Sequence, residues 1–312
     1  MSYPIDRKLV VAVSSSALFD LAESDAVWTD QGPRAYKQYQ LDQLDRVLKK
    51  GVAFPFVRRF LGINSRFATL NPVEVVLLSR NSAATGMRVF RSIRHYGLDI
   101  SRAAFMDGKS PYAYVPAFNA SLFLSANEND VRQALAAGHP AGKVLPGGVT
   151  DDEDDYEFRI AFDFDGVVAD DESETIYQER ELKGYMAYES DRSGVPHRPG
   201  PLADLLQKLS FMQRLEDREV DKDPHYHRVM SIAIISARSA PAHERMITTL
   251  EHWGVSPNET FLLGGIPKHR ILEVMRPHVF FDDQLGHLEG GDAGVPMVHI
   301  PFGIANVEDG AL

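Results

Sequence analysis

Asp163 and Asp165 stand two residues apart, directly after the apolar run Ile160-Ala161-Phe162 and just before Gly166. An apolar run closed by a glycine turn predicts a buried strand that ends in two carboxylates. Ligands of open α/β sheets bind beyond the carboxyl ends of strands, and like charges buried there need a partner. Oxygen-rich sites suit Mg²⁺, so a divalent cation is the expected partner. An acidic surface turn is the plainer alternative, but other strand ends supply matching groups. The run at 231–235 ends at Ser236, Lys268 follows Gly264-Gly265, and Val279-Phe280-Phe281 ends at Asp282-Asp283.

Together these groups have the chemistry of phosphoryl transfer. Asp163 can act as a nucleophile, since carboxylates form aspartyl-phosphates. Asp165 can protonate a leaving alkoxide and later activate water. Ser236 can hydrogen-bond phosphoryl oxygens, and Lys268 can neutralise phosphate charge. Asp163, Asp165, Asp282 and Asp283 are the expected Mg²⁺ ligands. Taken singly, each has a plainer role: a helix cap for Ser236, a solvated cation for Lys268, a turn for Asp282-Asp283.

The elements that must position them alternate between strand and helix. In the first half, residues 8–13 predict a buried strand ending at Ser14-Ser15-Ser16, and residues 73–78 a second ending at Ser79-Arg80-Asn81. Leu41, Leu44 and Leu48 recur at helical spacing, and Val89, Ile93 and Tyr96 form one face of a helix that Gly97 can end. A third strand at 120–124 ends at Ser125. The block Asp151-Asp152-Glu153-Asp154-Asp155 predicts a solvated linker. In the second half, residues 171–230 are polar, carry Tyr177, Tyr185 and Tyr188, and include a helix near 202–215. They are the expected cap over a site. The fold class is therefore α/β with parallel sheets, in halves 1–150 and 151–312.

The halves repeat. Ser79 and Ser236, Gly97 and Gly254, and Ser125 and Asp282 are each separated by 157 residues. A duplication explains this better than the general commonness of strand–helix order. Their chemistry differs, because Ser14, Ser16 and Ser125 occupy the places of Asp163, Asp165 and Asp282. The first half is thus expected to bind or to support rather than to hold a cation. Ser79, Arg80, Asn81 and Lys109 are its candidate substrate-binding groups, with capping and hydrogen bonding inside the fold as the even alternative.

Composition narrows the classes further. The 312 residues are 44% hydrophobic and 25% charged, with a formal net charge of −11 and no cysteine. Thiol chemistry and disulfides are excluded. The negative balance disfavours nonspecific binding to nucleic acid or anionic membrane. No apolar run reaches spanning length, and no leader-like segment opens the chain, so a cytoplasmic location is expected. A homo-oligomer is compatible with the sequence.

Asp163-Phe164-Asp165-Gly166, Ser236, Lys268 and Asp282-Asp283 resemble the haloacid dehalogenase (HAD) superfamily of aspartate-nucleophile phosphatases. A closer resemblance covers most of the chain. The stretches Ala12-Val13-Ser14-Ser15-Ser16-Ala17-Leu18-Phe19, Leu78-Ser79-Arg80-Asn81-Ser82, Ser110-Pro111-Tyr112, Leu122-Phe123-Leu124-Ser125 and Asp171-Glu172-Ser173-Glu174 are similar to the cytosolic 5′-nucleotidase I family. The resemblance implies two HAD-like Rossmannoid halves and a Mg²⁺-dependent hydrolysis of nucleoside 5′-monophosphates. A phosphatase for another small ester, such as a sugar phosphate, and a noncatalytic nucleotide-binding protein are the competing readings.

Overall fold

Parallel strands buried on both faces need continuous apolar runs, and the chain supplies them twice. The computed structural model describes residues 4–148, 151–289 and 294–306. The chain divides into two compact units, Met1–Asp151 and Asp152–Leu312. Each is a mixed α/β unit around parallel strands.

In the first unit the strands are β1 (Leu9–Val13), β2 (Val73–Ser79), β3 (Arg102–Phe105), β4 (Ala120–Ser125) and β5 (Ala141–Val144). They run parallel in the order β5-β4-β1-β2-β3. Every residue of β1 and β2 is buried. The helix Phe54–Arg66 buries Phe54, Phe56, Val57, Phe60 and Ile63 and packs on β2. The helix Ala83–His95 begins where the Ser82 hydroxyl accepts the Thr85 N–H, and it is followed by Gly97 at φ +64°, a left-handed stop that glycine adopts without steric cost. β3 had no clear sequence signal, because all four of its residues are only half-buried.

The three leucines at helical spacing do not share a helix. The helix Ala22–Asp42, interrupted at Gly32 before Pro33, stops two residues short of Leu44. Leu48 is buried in the connection beyond, where its N–H donates to Ser92 Oγ (3.0 Å) and its carbonyl accepts the Tyr96 hydroxyl (2.9 Å). Those tertiary hydrogen bonds replace the helical ones.

The acidic block is also more than a solvated linker. The Asp151 carboxylate accepts from Lys50 (2.9 Å), Arg58 (2.9 Å) and Arg59 (2.7 Å). Burial alone would raise its pKa, but the three cations outweigh burial and hold it down at about 2. Its contribution to stability is therefore full above the ordinary carboxylate pKa and is lost as pH falls through about 2. Asp151→Asn removes a buried anion that three cations share and should cost about 3 kcal/mol at pH 7. Urea denaturation should show the gap from the parent chain narrowing between pH 4 and pH 2.

In the second unit the strands are β6 (Phe158–Phe162), β7 (Met230–Ser236), β8 (Glu259–Leu262), β9 (Phe280–Asp282) and β10 (Met297–His299). They are parallel in the order β10-β9-β6-β7-β8. Asp155, from the same acidic block, pairs with Arg159 (2.6 Å) on β6. Between β6 and β7 lie the helices Glu172–Asp191 and Ala203–Lys222. The second runs well past the expected end near 215. It buries Leu205, Leu206, Leu209 and Met212 and packs on β7 and on the turn Phe164–Val168. Among the described residues no helix is long and apolar enough to cross a membrane.

Candidate active site

β6 delivers Asp163 to its carboxyl end. The chain then turns tightly through Phe164–Val168, with Gly166 at φ +71°. Glycine is required here twice over. The backbone is left-handed, and a Cβ at position 166 would lie 2.5 Å from Asp283 Oδ2. Gly166→Ala should therefore destabilise the chain by about 2 kcal/mol or more, since a left-handed residue alone costs about 1–2 kcal/mol. Chemical denaturation of the purified variant measures it.

The Asp163 backbone N–H is held by the Phe281 carbonyl of β9 (2.8 Å). Its Oδ1 accepts the Phe164 N–H (2.7 Å), and its Oδ2 lies 2.8 Å from Lys268 Nζ. Lys268 is buried and also reaches Asp282 Oδ2 at 2.6 Å. The other Asp282 oxygen accepts the Gln284 N–H (2.9 Å) and faces His287 Nδ1 (3.2 Å). Asp283 is buried, and its Oδ1 has no hydrogen-bond partner. Ser236, at the end of β7, is buried, and its Oγ accepts the Arg238 N–H (3.2 Å).

Three carboxylates thus crowd round one lysine. Burial pushes Asp283 up to about 9, and the neighbouring charges of Asp163 and Asp282 add to it. Burial likewise raises Asp163 to about 7 although Lys268 opposes it. For Asp282, Lys268 and His287 outweigh burial and lower the pKa. Lys268 is raised, because Asp163 and Asp282 outweigh its desolvation. This cluster fits a hard divalent cation: its donors are carboxylate oxygens, one of them buried without a partner, and its negative charge exceeds what one lysine balances. Asp163, Asp282 and His287 offer ligand atoms within 4.8 Å of one another.

Asp165 points elsewhere. Both its oxygens are taken by Arg238, through Nη2 (2.7 Å) and Nε (2.8 Å). Burial would raise its pKa, but Arg238 outweighs burial and lowers it. Arg238 is itself buried, donates to Glu189, to Ser173 Oγ (2.6 Å) and to the Ala242 carbonyl (2.8 Å), and lies over the Phe164 ring. Glu189 is held at about 2, burial being outweighed by His197 and Arg238. Sequence reasoning missed Arg238, Glu189, His197 and His287. Arg238 had a signal, two residues beyond Ser236 at a strand end; Glu189 and His197 had none.

In the first unit the serines serve the backbone. Ser14 Oγ accepts the Ala17 N–H (3.1 Å) and pairs with Ser16 Oγ (3.2 Å), and Ser125 Oγ accepts the Asn127 N–H (3.1 Å). Ser79 is buried and pairs with Ser15 Oγ (2.9 Å). Arg80 grips Asp130, and Asn81 Oδ1 accepts the Tyr36 hydroxyl (2.7 Å). A cavity of about 820 Å³ lies at these strand ends, lined among others by Ser14, Trp28, Arg34, Arg80, Asn81 and Asn127. Lys109 is exposed and lies outside that lining. In the second unit Tyr185 is buried edge-on against Tyr177, and Tyr188 donates to Glu172.

Comparison with known proteins gives matches along most of the chain. A family model described as 5′-nucleotidase matches residues 1–307. The chain is 33% identical over 288 residues to human "Cytosolic 5'-nucleotidase 1B", covering 90% of this chain and 47% of that protein. It therefore spans about half the length of that curated relative. Among solved structures, histidinol dehydrogenase from Elizabethkingia anophelis covers 93% of this chain and 52% of its own at 8% identity, with a TM-score of 0.21. An S. aureus MnaA–UDP structure covers 93% and 78% at 7% identity, with a TM-score of 0.20. Likeness at that level carries no argument.

Proposed function

Since the chain belongs to the 5′-nucleotidase family, we propose that it hydrolyses nucleoside 5′-monophosphates to nucleoside and phosphate, with Mg²⁺, through an aspartyl-phosphate on Asp163. The observation that carries this reading is the Asp163 carboxylate at the end of β6, 2.8 Å from buried Lys268 and crowded by Asp282 and the unpartnered Asp283. Asp163, Asp282 and Asp283 would hold the Mg²⁺, which when bound supplies charge neutralisation between nucleophile and phosphate.

An Asp163 oxygen attacks phosphorus, the ester P–O bond breaks, and the leaving alkoxide takes a proton. Lys268 offsets the charge on the phosphoryl oxygens, and Ser236 hydrogen-bonds to them. Asp165 is the acid in this step and the base that activates water in the next. Its carboxyl must leave Arg238 and take up a proton to serve as the acid, so swapping partners is part of its cycle. Water then attacks the aspartyl-phosphate, which releases phosphate and restores Asp163.

The two units are a duplicated HAD-like pair in this reading. The first strand of each sits centrally, and the order β5-β4-β1-β2-β3 matches β10-β9-β6-β7-β8 strand for strand, which supports it. The cap in this reading is the segment of about 171–230, with the helices Glu172–Asp191 and Ala203–Lys222 both packed on the turn Phe164–Val168. With serines in place of the acids, the first unit is the binding half, and its cavity takes a small molecule by Arg80, Asn81 and the Trp28 face rather than by a cation. The location is cytoplasmic.

Phosphate release from a panel of nucleoside monophosphates and sugar phosphates, with and without Mg²⁺, tests the assignment. Turnover of the nucleotides that stops on chelation is expected. Preference for sugar phosphates would move the substrate class, and nucleotide binding without phosphate release would leave only a binding protein.

A further inference from the structure

A second group of ligand atoms lies apart from the Asp163 cluster. Asp170, Glu172 and His197 each bring one such atom to within 4.8 Å of the others. Their backbones are fixed independently. The Asp170 N–H donates to the Arg198 carbonyl (3.0 Å) and its own carbonyl accepts the Gly166 N–H (3.2 Å). Glu172 opens the helix Glu172–Asp191, and the His197 N–H donates to Thr249 Oγ1 (3.0 Å).

Two of the atoms are buried with no hydrogen-bond partner: Asp170 Oδ1 and His197 Nδ1, on residues only 7% and 3% exposed. Leaving such groups unpaired is costly. The remaining atoms are engaged. Asp170 Oδ2 accepts from Arg198 Nε (2.7 Å), and Glu172 accepts from Tyr188 and from Arg245 (2.9 Å). His197 Nε2 lies 3.3 Å from Glu189 Oε2 and 3.0 Å from Arg238 Nη2. Both hydrogens of that Arg238 nitrogen go, at shorter distances, to Asp165 and Ser173. Hence His197 Nε2 carries the proton and gives it to Glu189. Nδ1 has no hydrogen-bond partner and lies 3.8 Å from Glu172 Oε2.

A histidine whose far nitrogen donates to a carboxylate while its near nitrogen faces two more is the arrangement that orients metal-binding imidazoles. One imidazole nitrogen and two carboxylate oxygens favour a first-row transition dication over Mg²⁺. We propose that Asp170, Glu172 and His197 form a second cation site, of the zinc class, which joins the turn after β6 to the helix Glu172–Asp191 and to the segment before Ala203–Lys222. The site does not depend on the reaction proposed above.

The test uses the full chain, stripped of metal and kept in saturating Mg²⁺ to fill the Asp163 cluster, then titrated with Zn²⁺ alone. One tightly held Zn²⁺ per chain and a raised melting temperature are expected. His197→Gln keeps an amide N–H near the Nε2 position for Glu189 but places no donor at Nδ1. Asp170→Asn removes the charge of the carboxylate that carries the unpartnered Oδ1. Each should weaken Zn²⁺ at least tenfold and erase the thermal shift. Failure of the parent chain to take up Zn²⁺, or uptake by either folded variant equal to the parent, overturns the site. Should both variants misfold, anomalous scattering from Zn²⁺ in crystals of the parent chain decides it: a peak among the three side chains supports the site, and no peak there refutes it.

Discussion

Asp163→Asn should lower kcat/KM for phosphate release by at least about 10⁴-fold, roughly 5.5 kcal/mol of transition-state stabilisation, while leaving the chain folded. The amide keeps an oxygen for the Phe164 N–H, which Asp163 now accepts at 2.7 Å. It also keeps the shape of the turn. What it loses is the anionic oxygen that attacks phosphorus. Lys268 does not become an orphan, because it retains Asp282 at 2.6 Å. Removing one of three crowded carboxylates relieves repulsion, so the melting temperature should hold or rise slightly. Steady-state phosphate release and a thermal melt on the same preparation separate the two effects. Full activity in this variant would sink the aspartyl-phosphate mechanism.

Arg238→Met should be the most destabilising single change in the second unit, at about 3–5 kcal/mol. The guanidinium is buried and partners two carboxylates, Asp165 and Glu189, along with Ser173 Oγ and the Ala242 carbonyl. Methionine fills much of the volume but leaves Asp165 without its cation and Glu189 with only Arg245 (3.0 Å) and His197 (3.3 Å). Lysine should not rescue the loss, since three donors on a point charge cannot reproduce a planar fork that spans Asp165 on two nitrogens. Chemical denaturation of both variants reads this out. Stability near the parent in either would mean that Asp165 is balanced by something other than Arg238 and that Arg245 suffices for Glu189.

What could be read from the sequence was what is local. Three of the reactive groups of the second unit follow apolar runs long enough to be buried strands, so Asp163, Ser236 and Asp282 fall at strand ends in the sequence and in the fold alike. Partners distant in sequence were out of reach. Arg238 meets Glu189 across 49 positions and Asp165 across 73. Nothing in the composition around Glu189 or His197 marks them as buried, because a charged residue is buried only when its partner arrives from elsewhere. The same reason hid Asp151. The four residues that follow it are all acids, whereas its three cations lie 92 to 101 positions away. The helical spacing of Leu41, Leu44 and Leu48 misled for the converse reason: a pattern that was locally right gave way to hydrogen bonds from Ser92 and Tyr96.

The cavity of about 820 Å³ in the first unit has a thermodynamic consequence of its own. A molecule that binds there without being converted leaves no product by which to be detected. Occupancy registers instead as a shift in the unfolding equilibrium. By linkage, a ligand present at a hundred times its Kd adds about 2.7 kcal/mol to the folded state. Screening by melting temperature therefore samples this unit whatever the second unit catalyses, and a compound that raises the melt of the inactive Asp163→Asn chain reports binding uncoupled from turnover.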